Sequence, residues 1–191
     1  MQEKVLILDF GSQYTQLIAR RVRELNIYCE IFPFNHINYN MDDYKALILS
    51  GSPYSVRSKD SLKIDIDKIR GVLPILGICY GAQLLADSCG GEVKPSKTRE
   101  YGRANLNRVD NSNNIFSNIR DGSQVWMSHA DTIFKLPFSS KRIASTKDVK
   151  NAAFQFNDEN TFGIQFHPEV YHSTDGKLSL IHISEPTRRY S

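Results

Sequence analysis

A cysteine that follows a short apolar run is the residue of this sequence best suited to covalent chemistry. Cys79 lies within the sequence GICYG (77–81), which follows the apolar residues 73–76 and precedes a helical pattern. A nucleophile on a sharp turn between a strand and a helix is exposed and is held in a strained backbone. The helix N-terminus adds partial positive charge, which favours the thiolate. The two glycines that flank it therefore predict that Cys79 is a nucleophile.

A histidine and a glutamate, beginning 88 residues after this cysteine, are candidates for its base and for the group that orients the base. His167 precedes a proline, which favours an extended backbone. In an extended chain, residues two apart point the same way, so Glu169 can approach the imidazole. An isolated cysteine is usually buried and structural, which is our interpretation of Cys29 and Cys89. Together, Cys79, His167 and Glu169 predict a triad for acyl transfer.

Backbone donors for an oxyanion are the next requirement of such a triad. Tyr80, directly after the nucleophile, carries one candidate N–H. Gly51 and Ser52 lie in a loop sequence, SGSP (50–53), at the end of another apolar run, and are expected to present the second donor. Such a sequence on its own is a common turn, so this role requires the loop to lie beside Cys79.

The remaining pattern predicts an α/β fold that would bring these residues together. The first half alternates as β-α-β-β-α-β-α, with predicted strands at 5–9, 28–32, 44–49 and 74–78 and helices at 14–25, 62–70 and 80–89. This order indicates a mostly parallel central sheet flanked by helices on both faces. Shorter strands are predicted at 102–109, 124–127, 142–146, 152–156 and 161–166. We expect them to form a small antiparallel extension that returns His167 to Cys79.

Composition and charge exclude several classes of protein. The net charge is only +3 and the basic residues are scattered, which gives no support for binding nucleic acid or an anionic membrane. We find no apolar stretch of spanning length and no signal peptide. Three cysteines without regular spacing favour a reducing compartment, so a cytoplasmic location is expected. The sequence has no spacing of cysteines and histidines typical of zinc ligands, so no metal site is expected. It also lacks the glycine pattern of a dinucleotide-binding site.

Three longer segments, together with the sequence around Cys79, carry a resemblance to a known family. They are ILDFGSQYTQ (7–16), VWMSHAD (125–131) and GIQFHPE (163–169). The chain resembles class I, triad-type glutamine amidotransferase domains over about residues 4–177, and more narrowly the glutaminase domains of the GMP synthetase branch. The resemblance implies that Cys79 attacks the side-chain amide of glutamine, that His167 protonates the departing ammonia and that Glu169 orients His167.

The resemblance also implies how glutamine is held. Gln83 matches a family position that contacts the substrate glutamine. The family also has a loop whose backbone holds the α-amino and carboxylate groups of glutamine, and the residues that match it are Ser128, His129, Ala130 and Asp131. From the residues alone, His129 and Asp131 could instead be a second acid–base pair, although a structural or substrate-cradling loop is the preferred interpretation. Ser52 and Ala130 stand where the family usually has glycine. If the backbone at Ser52 requires a positive φ, the side chain would add strain and could lower activity.

In the family, ammonia passes to an ATP-dependent synthetase (ATP-pyrophosphatase) domain or subunit that converts XMP to GMP. This sequence lacks the SGGxDS signature of that domain, so ATP and magnesium are expected only there, and no cofactor is expected here. One alternative is the glutaminase of another amidotransferase such as anthranilate or aminodeoxychorismate synthase, against which the sequence DFGSQY (9–14) argues. The other is a catalytically idle binding module, which would normally have lost Cys79 or His167.

The end of the chain departs from the pattern of the rest. Residues 1–177 are expected to form the amidotransferase domain, and such a domain should end on an amphipathic helix. Residues 178–191 instead contain Pro186, which stops any long helix, and resemble translated sequencing-adaptor read-through. We therefore expect 178–191 to be a non-native tail in which His182 has no functional role.

Overall fold

The structure is a computed structural model that describes residues 4–36 and 40–184, without the side chains of 97–100, 178 and 184. Its strands are β1 Lys4–Asp9, β2 Tyr28–Pro33, β3 Ala46–Leu49, β4 Ile75–Ile78, β5 Glu92–Val109, β6 Gln124–Lys135, β7 Ser140–Thr146, β8 Ala153–Phe156 and β9 Thr161–Ile164. Its α-helices are α1 Thr15–Glu24, α2 Tyr80–Ser88 and α3 Gly176–Ser184. Within these ranges, the nine strands form one sheet in the order β2-β1-β3-β4-β9-β8-β7-β5-β6.

The sheet has a parallel half whose strands are buried on both faces. β1 pairs in parallel with β2 and β3, and β4 pairs in parallel with β3. Side chains alternate across a strand, so Val5 and Ile7 pack with α1 and α3, whereas Leu6 and Leu8 pack with α2. The prediction of a mostly parallel sheet with helices on both faces and an antiparallel extension is therefore confirmed. Among the described residues, no helix is long and apolar enough to cross a membrane.

The last strand belongs to the parallel half, and its assignment to the antiparallel extension was wrong. β9 runs parallel to β4, with Gly163 opposite Gly77, and antiparallel only to β8. A hairpin between β8 and β9 reverses the chain and brings it alongside β4 in the same direction. Strand spacing along a sequence does not reveal which neighbour a strand pairs with, so this direction was not visible. Because β4 and β9 are parallel, their C-terminal ends lie at the same edge of the sheet. Cys79 and His167, which follow these two strands, therefore lie at that edge.

Two further predictions differ from the structure. The helix expected at 62–70 is absent, and this segment contains only a short 3₁₀ turn at Ile66–Lys68. Its apolar residues pack as a loop, with Ile66 and Ile69 buried beneath polar neighbours, so their spacing reflects burial and not a helical stripe. The strand expected at 124–127 continues to Lys135. The predicted substrate loop, 128–131, is therefore part of β6.

A helix occupies the first part of the segment that we expected to be a non-native tail. α3 packs against α1 and the 3₁₀ turn Asn114–Phe116, and its Leu180 and Ile183 are almost fully buried. These two residues lie three apart, which places them on one face of the helix. Residues 185–191 lie outside the described residues. Whether 178–191 is native stays a prediction, but the terminal helix that we thought missing is present over 176–184.

Candidate active site

Cys79 occupies a strained turn between β4 and α2. Its φ of 51° and ψ of −104° lie in a region that residues other than glycine rarely adopt. The conformation is fixed on both sides, because the N–H of Cys79 donates to the Ile164 carbonyl at 2.8 Å and the N–H of Gly81 donates to the Ser50 carbonyl at 3.1 Å. The strand-to-helix turn predicted for the nucleophile is therefore present.

The glycines on either side of Cys79 are required by close backbone packing. A Cβ added to Gly77 would lie 2.6 Å from the carbonyl carbon of Gly81, and a Cβ added to Gly81 would lie 2.5 Å from the Leu49 oxygen. Both distances are far shorter than a van der Waals contact between carbon and these atoms. The turn therefore brings α2 directly against the ends of β3 and β4, which places the helix N-terminus at the thiol.

His167 and Glu169 form a buried pair next to this turn. Nδ1 of His167 lies 2.7 Å from Oε1 of Glu169, and the two side chains are 4% and 0% exposed. Burial alone would lower the pKa of His167, but the negative charges of Glu169 and of the Cys79 thiolate outweigh it and raise its pKa well above the usual 6.5. The imidazolium is therefore favoured while the thiolate is present, as acyl transfer from a cysteine requires.

The three residues of the predicted triad meet at one place. His167 and Cys79 line the same cleft and are close enough for the thiolate charge to raise the pKa of the imidazole. The thiol of Cys79 lies 3.7 Å from the Ser128 carbonyl, to which it donates. The ring of Tyr14 packs edge-on against His167, with 5.2 Å between ring centroids. Tyr14 was in a segment that carried the family resemblance but had received no role.

A cleft of about 390 Å³ opens above the thiol. The predicted site residues that line it are Ser52, Cys79, Tyr80, Gln83, Ser128, His129, Ala130, Asp131 and His167. Gly51 does not line the cleft, but a Cβ added to it would be 3.4 Å from Cε1 of His167. Ser52 does not have a positive φ, so its side chain causes no backbone strain of the kind considered above. Both loop residues therefore lie beside the triad, as an oxyanion role requires.

Asp131 ties one wall of the cleft to another. Its carboxylate accepts a hydrogen bond from the hydroxyl of Ser55 and lies 3.2 Å from Nη1 of Arg57. Its carbonyl accepts from Nε2 of Gln83 at 2.8 Å. Sequence reasoning missed Ser55 and Arg57, because nothing marks them except that they follow the predicted oxyanion loop. The Gln83 amide nitrogen is thus used to hold β6 against α2.

His129 lines the cleft with an exposed fraction of only 4%. Burial lowers its pKa to about 4, so the imidazole is neutral at physiological pH. The Asp131 carboxylate is already paired with Ser55 and Arg57. This arrangement argues against a second acid–base pair and favours a structural part of the binding wall.

Comparisons with known proteins agree with this geometry. The family model described as glutamine amidotransferase class-I matches residues 6–182. The chain is 63% identical over 180 residues to a GMP synthase [glutamine-hydrolyzing] of Christiangramia forsetii and 62% identical over 180 residues to one of Flavobacterium psychrophilum. Each alignment covers 94% of this chain but only 35% of the relative. The chain therefore spans about a third of the length of these relatives.

Solved structures give the same result for the fold. The crystal structure of a putative GMP synthase protein from Thermoplasma acidophilum has a TM-score of 0.84 at 29% identity, covering 98% of this chain and 96% of that chain. A glutamine amidotransferase from Thermotoga maritima has a TM-score of 0.74 at 23% identity, covering 89% of this chain and 77% of that chain. The second likeness concerns the fold alone.

Proposed function

The chain belongs to the class-I glutamine amidotransferase family, and from this premise we propose that it hydrolyses glutamine to glutamate and ammonia. The observation that carries the proposal is the convergence of a strained cysteine, a buried His–Glu pair and an open cleft. Cys79 lies at a helix N-terminus, His167 interacts with its sulfur, and Glu169 accepts from the far side of the imidazole. The cleft above the thiol has room for a small polar substrate.

The first half of the reaction forms a thioester. The Cys79 thiolate attacks the side-chain carbonyl carbon of glutamine, and a tetrahedral intermediate with a negatively charged oxygen results. His167, as imidazolium, donates its proton to the amide nitrogen, the C–N bond breaks and ammonia leaves. Glu169 holds the imidazole in position and stabilises its charge throughout this step, because the carboxylate lies 2.7 Å from Nδ1.

The second half releases glutamate. Neutral His167 removes a proton from water, the hydroxide attacks the thioester carbonyl, and the C–S bond breaks to regenerate the thiolate and the imidazolium. The oxyanion of both intermediates would be bound by the N–H groups of Tyr80 and of the loop at Gly51 and Ser52. Tyr80 begins α2, and the first N–H groups of a helix have no acceptor within it.

The substrate would lie along β6. Ser128, Ala130 and Asp131 line the cleft beside the thiol, and their strand backbone is suited to hold the α-amino and α-carboxylate groups of glutamine. Gln83 supports this wall through its bond to the Asp131 carbonyl. His129, neutral and buried, would shape the wall without taking a proton.

The proposed destination of the ammonia is the amination of XMP to GMP. The relatives that this chain matches are named GMP synthases, and the chain corresponds to about a third of their length. We propose that an ATP-pyrophosphatase domain or subunit uses the ammonia, and that ATP and magnesium bind there and not in the part described here. The free cysteines of the described chain are consistent with action in the reducing cytoplasm.

Covalent labelling tests the proposal without requiring turnover. The protein is incubated with the glutamine-analogue electrophile 6-diazo-5-oxo-norleucine and examined by intact mass spectrometry and peptide mapping. We expect one adduct on Cys79, which excess glutamine suppresses and which Cys79→Ala abolishes. Cys29 and Cys89 serve as internal controls, because burial raises the pKa of both thiols. A folded protein that gains no adduct at Cys79 would refute the glutaminase proposal.

A further inference from the structure

A buried serine downstream of the triad joins its histidine to the strand that forms the substrate wall. Ser173 is 6% exposed. Its hydroxyl donates to the carbonyl of His167 at 2.5 Å and accepts from the N–H of Trp126 in β6 at 3.0 Å. A single side chain therefore satisfies one backbone group on each of two segments that meet at the active site.

The same two backbone segments are also bonded directly. The N–H of His167 donates to the Trp126 carbonyl at 2.9 Å. Both polar backbone groups of His167 are thus held by β6, one directly and one through Ser173. Trp126 lies two residues before Ser128, whose carbonyl accepts from the thiol of Cys79. The contacts form a closed path that runs from Cys79 through β6 and Ser173 to His167 and back to Cys79.

The segment that carries Ser173 is itself fixed to β6. The Nε2 of Gln124 donates to the His172 carbonyl at 2.7 Å, and the N–H of Thr174 donates to the Gln124 carbonyl at 3.1 Å. The hydroxyl of Ser123 donates to the carboxylate of Asp175. Ser173 is therefore held by its neighbours and does not depend on its own two bonds for its location.

We propose that Ser173 is a positioning residue for the triad. It does not line the cleft, so within the described residues it has no route to the substrate. It fixes the backbone of His167 against β6, and this fixes the imidazole relative to the Cys79 thiol. The inference rests on the proposed function, because it assigns Ser173 to the reaction of that same site.

Removing the hydroxyl has a specific consequence. Alanine at this position leaves the Trp126 N–H and one lone pair of the His167 carbonyl without their partner in a buried environment. A buried polar group without a hydrogen bond is unfavourable, so the two segments will shift to find other partners or water. A displacement of about 1 Å in a catalytic group lowers a rate by as much as 100-fold.

Three variants test the proposal. Ser173→Ala removes both bonds, whereas Ser173→Cys keeps the branch of the side chain with a larger atom and weakens them, because a thiol is a poor donor and acceptor. Ser179→Ala is a matched control: Ser179 is fully buried nearby in the chain, and its hydroxyl has no hydrogen-bond partner in the described structure. Circular dichroism melting identifies any variant that unfolds at the assay temperature.

The measurement is the pH dependence of Cys79 alkylation by iodoacetamide, followed by peptide mapping. In the wild type, the negative charge of a Cys79 thiolate is one of the causes that raise the pKa of His167, so alkylation of the thiol reports how the two side chains are placed relative to each other. We expect Ser173→Ala to shift the alkylation midpoint upward and to lower the rate at pH 7 by about tenfold or more. Ser173→Cys should shift it less, and Ser179→Ala should match the wild type.

The outcomes separate this inference from the proposed function. Iodoacetamide does not require glutamine recognition, so a low alkylation midpoint in the wild type shows the Cys79–His167 pairing even where the diazo analogue fails to label. Profiles of Ser173→Ala and Ser173→Cys equal to that of the wild type would overturn the positioning role. An equal shift in Ser179→Ala would overturn it as well, because buried packing alone would then explain the effect. Should Ser173→Ala unfold, the profile of Ser173→Cys decides.

Discussion

The carboxylate of Glu169 and the imidazole of His167 are both removed from solvent, and Oε1 of Glu169 lies 2.7 Å from Nδ1 of His167. Only Pro168 separates the two residues in the chain. The main chain at Glu169 is fixed as well, because Nε of Arg21 donates to its carbonyl at 3.1 Å. An ion pair formed away from water has a strong influence on protonation. This pair therefore controls both the pH range of activity and the pH dependence of stability.

Glu169→Gln is expected to reduce glutamine hydrolysis by about ten- to a thousandfold, within the range of a single acid–base contribution. The carboxylate charge that raises the pKa of His167 is gone, so the imidazolium that protonates the leaving ammonia is lost at lower pH. The rate of labelling by 6-diazo-5-oxo-norleucine, measured from pH 5.5 to 9, should therefore fall most at neutral pH. Gln155→Glu, at a residue that does not line the cleft, is the control for the general effect of replacing an amide with a carboxylate or the reverse.

The same substitution has a signature in stability. A histidine whose pKa is raised in the folded state contributes stability that is complete below its unfolded pKa of about 6.5 and is lost as pH rises through the folded pKa. The difference in free energy of unfolding between wild type and Glu169→Gln should therefore be largest near pH 6 and smaller at pH 9. Urea denaturation at both values measures it. A difference that grows with pH would contradict the charged pair.

Ser55→Ala is expected to weaken glutamine binding more than it slows the chemistry. Ser55 donates to the Asp131 carboxylate and so joins the loop after Gly51 to β6. A hydrogen bond to a charged group contributes about 1.5 to 3 kcal/mol, and Arg57 retains part of the contact, so we expect KM to rise about three- to tenfold. Steady-state kinetics separate KM from kcat. Lys59→Ala, at an exposed residue of the same loop, should leave both unchanged.

The sequence allowed the triad to be predicted because its chemistry leaves local marks. Gly77 and Gly81 are needed where α2 contacts β3 and β4, and that need is visible as a pair of glycines around Cys79. The proline after His167 is also a local mark, because it restricts the backbone of that histidine; the structure continues through Pro168 and Glu169 as a turn and not as the extended chain that we expected. Such features depend on a few adjacent residues, so a single sequence reveals them.

Long-range features were not available in the same way. Ser173 contacts the triad only through backbone groups of His167 and Trp126, and any serine on a short turn would have the same sequence appearance. The contact of Ser55 with Asp131 joins residues 76 apart. The mistaken helix at 62–70 has the converse cause, because tertiary burial of Ile66 and Ile69 produced an apolar spacing without a helix.

His129→Gln is expected to make the fold less sensitive to acid. Burial lowers the pKa of His129 to about 4, so between pH 6.5 and 4 the unfolded chain binds a proton that the folded chain does not. This histidine therefore leaves stability intact above pH 6.5 and removes about 2 to 3 kcal/mol as pH falls to 4.5. Urea denaturation at pH 7 and 4.5 should show a smaller acid loss in the variant. An equal loss would mean that His129 is protonated in the folded protein.

Leu180→Ala tests whether the helix at 176–184 is part of the folded domain. Leu180 is fully buried in a core cluster with Ile18 and Val22 of α1, so its truncation should cost about 2 to 5 kcal/mol of unfolding free energy. Ile181, which is only partly buried on the same helix, provides the matched control, and Ile181→Ala should cost clearly less. Chemical denaturation of the two variants and the wild type measures both values. If the two substitutions have the same small effect, α3 does not pack on α1 in solution, and the expectation of a non-native tail from residue 178 gains support. A large loss confined to Leu180→Ala would instead mean that the chain as far as Ile183 completes the hydrophobic core on the α1 face of the sheet.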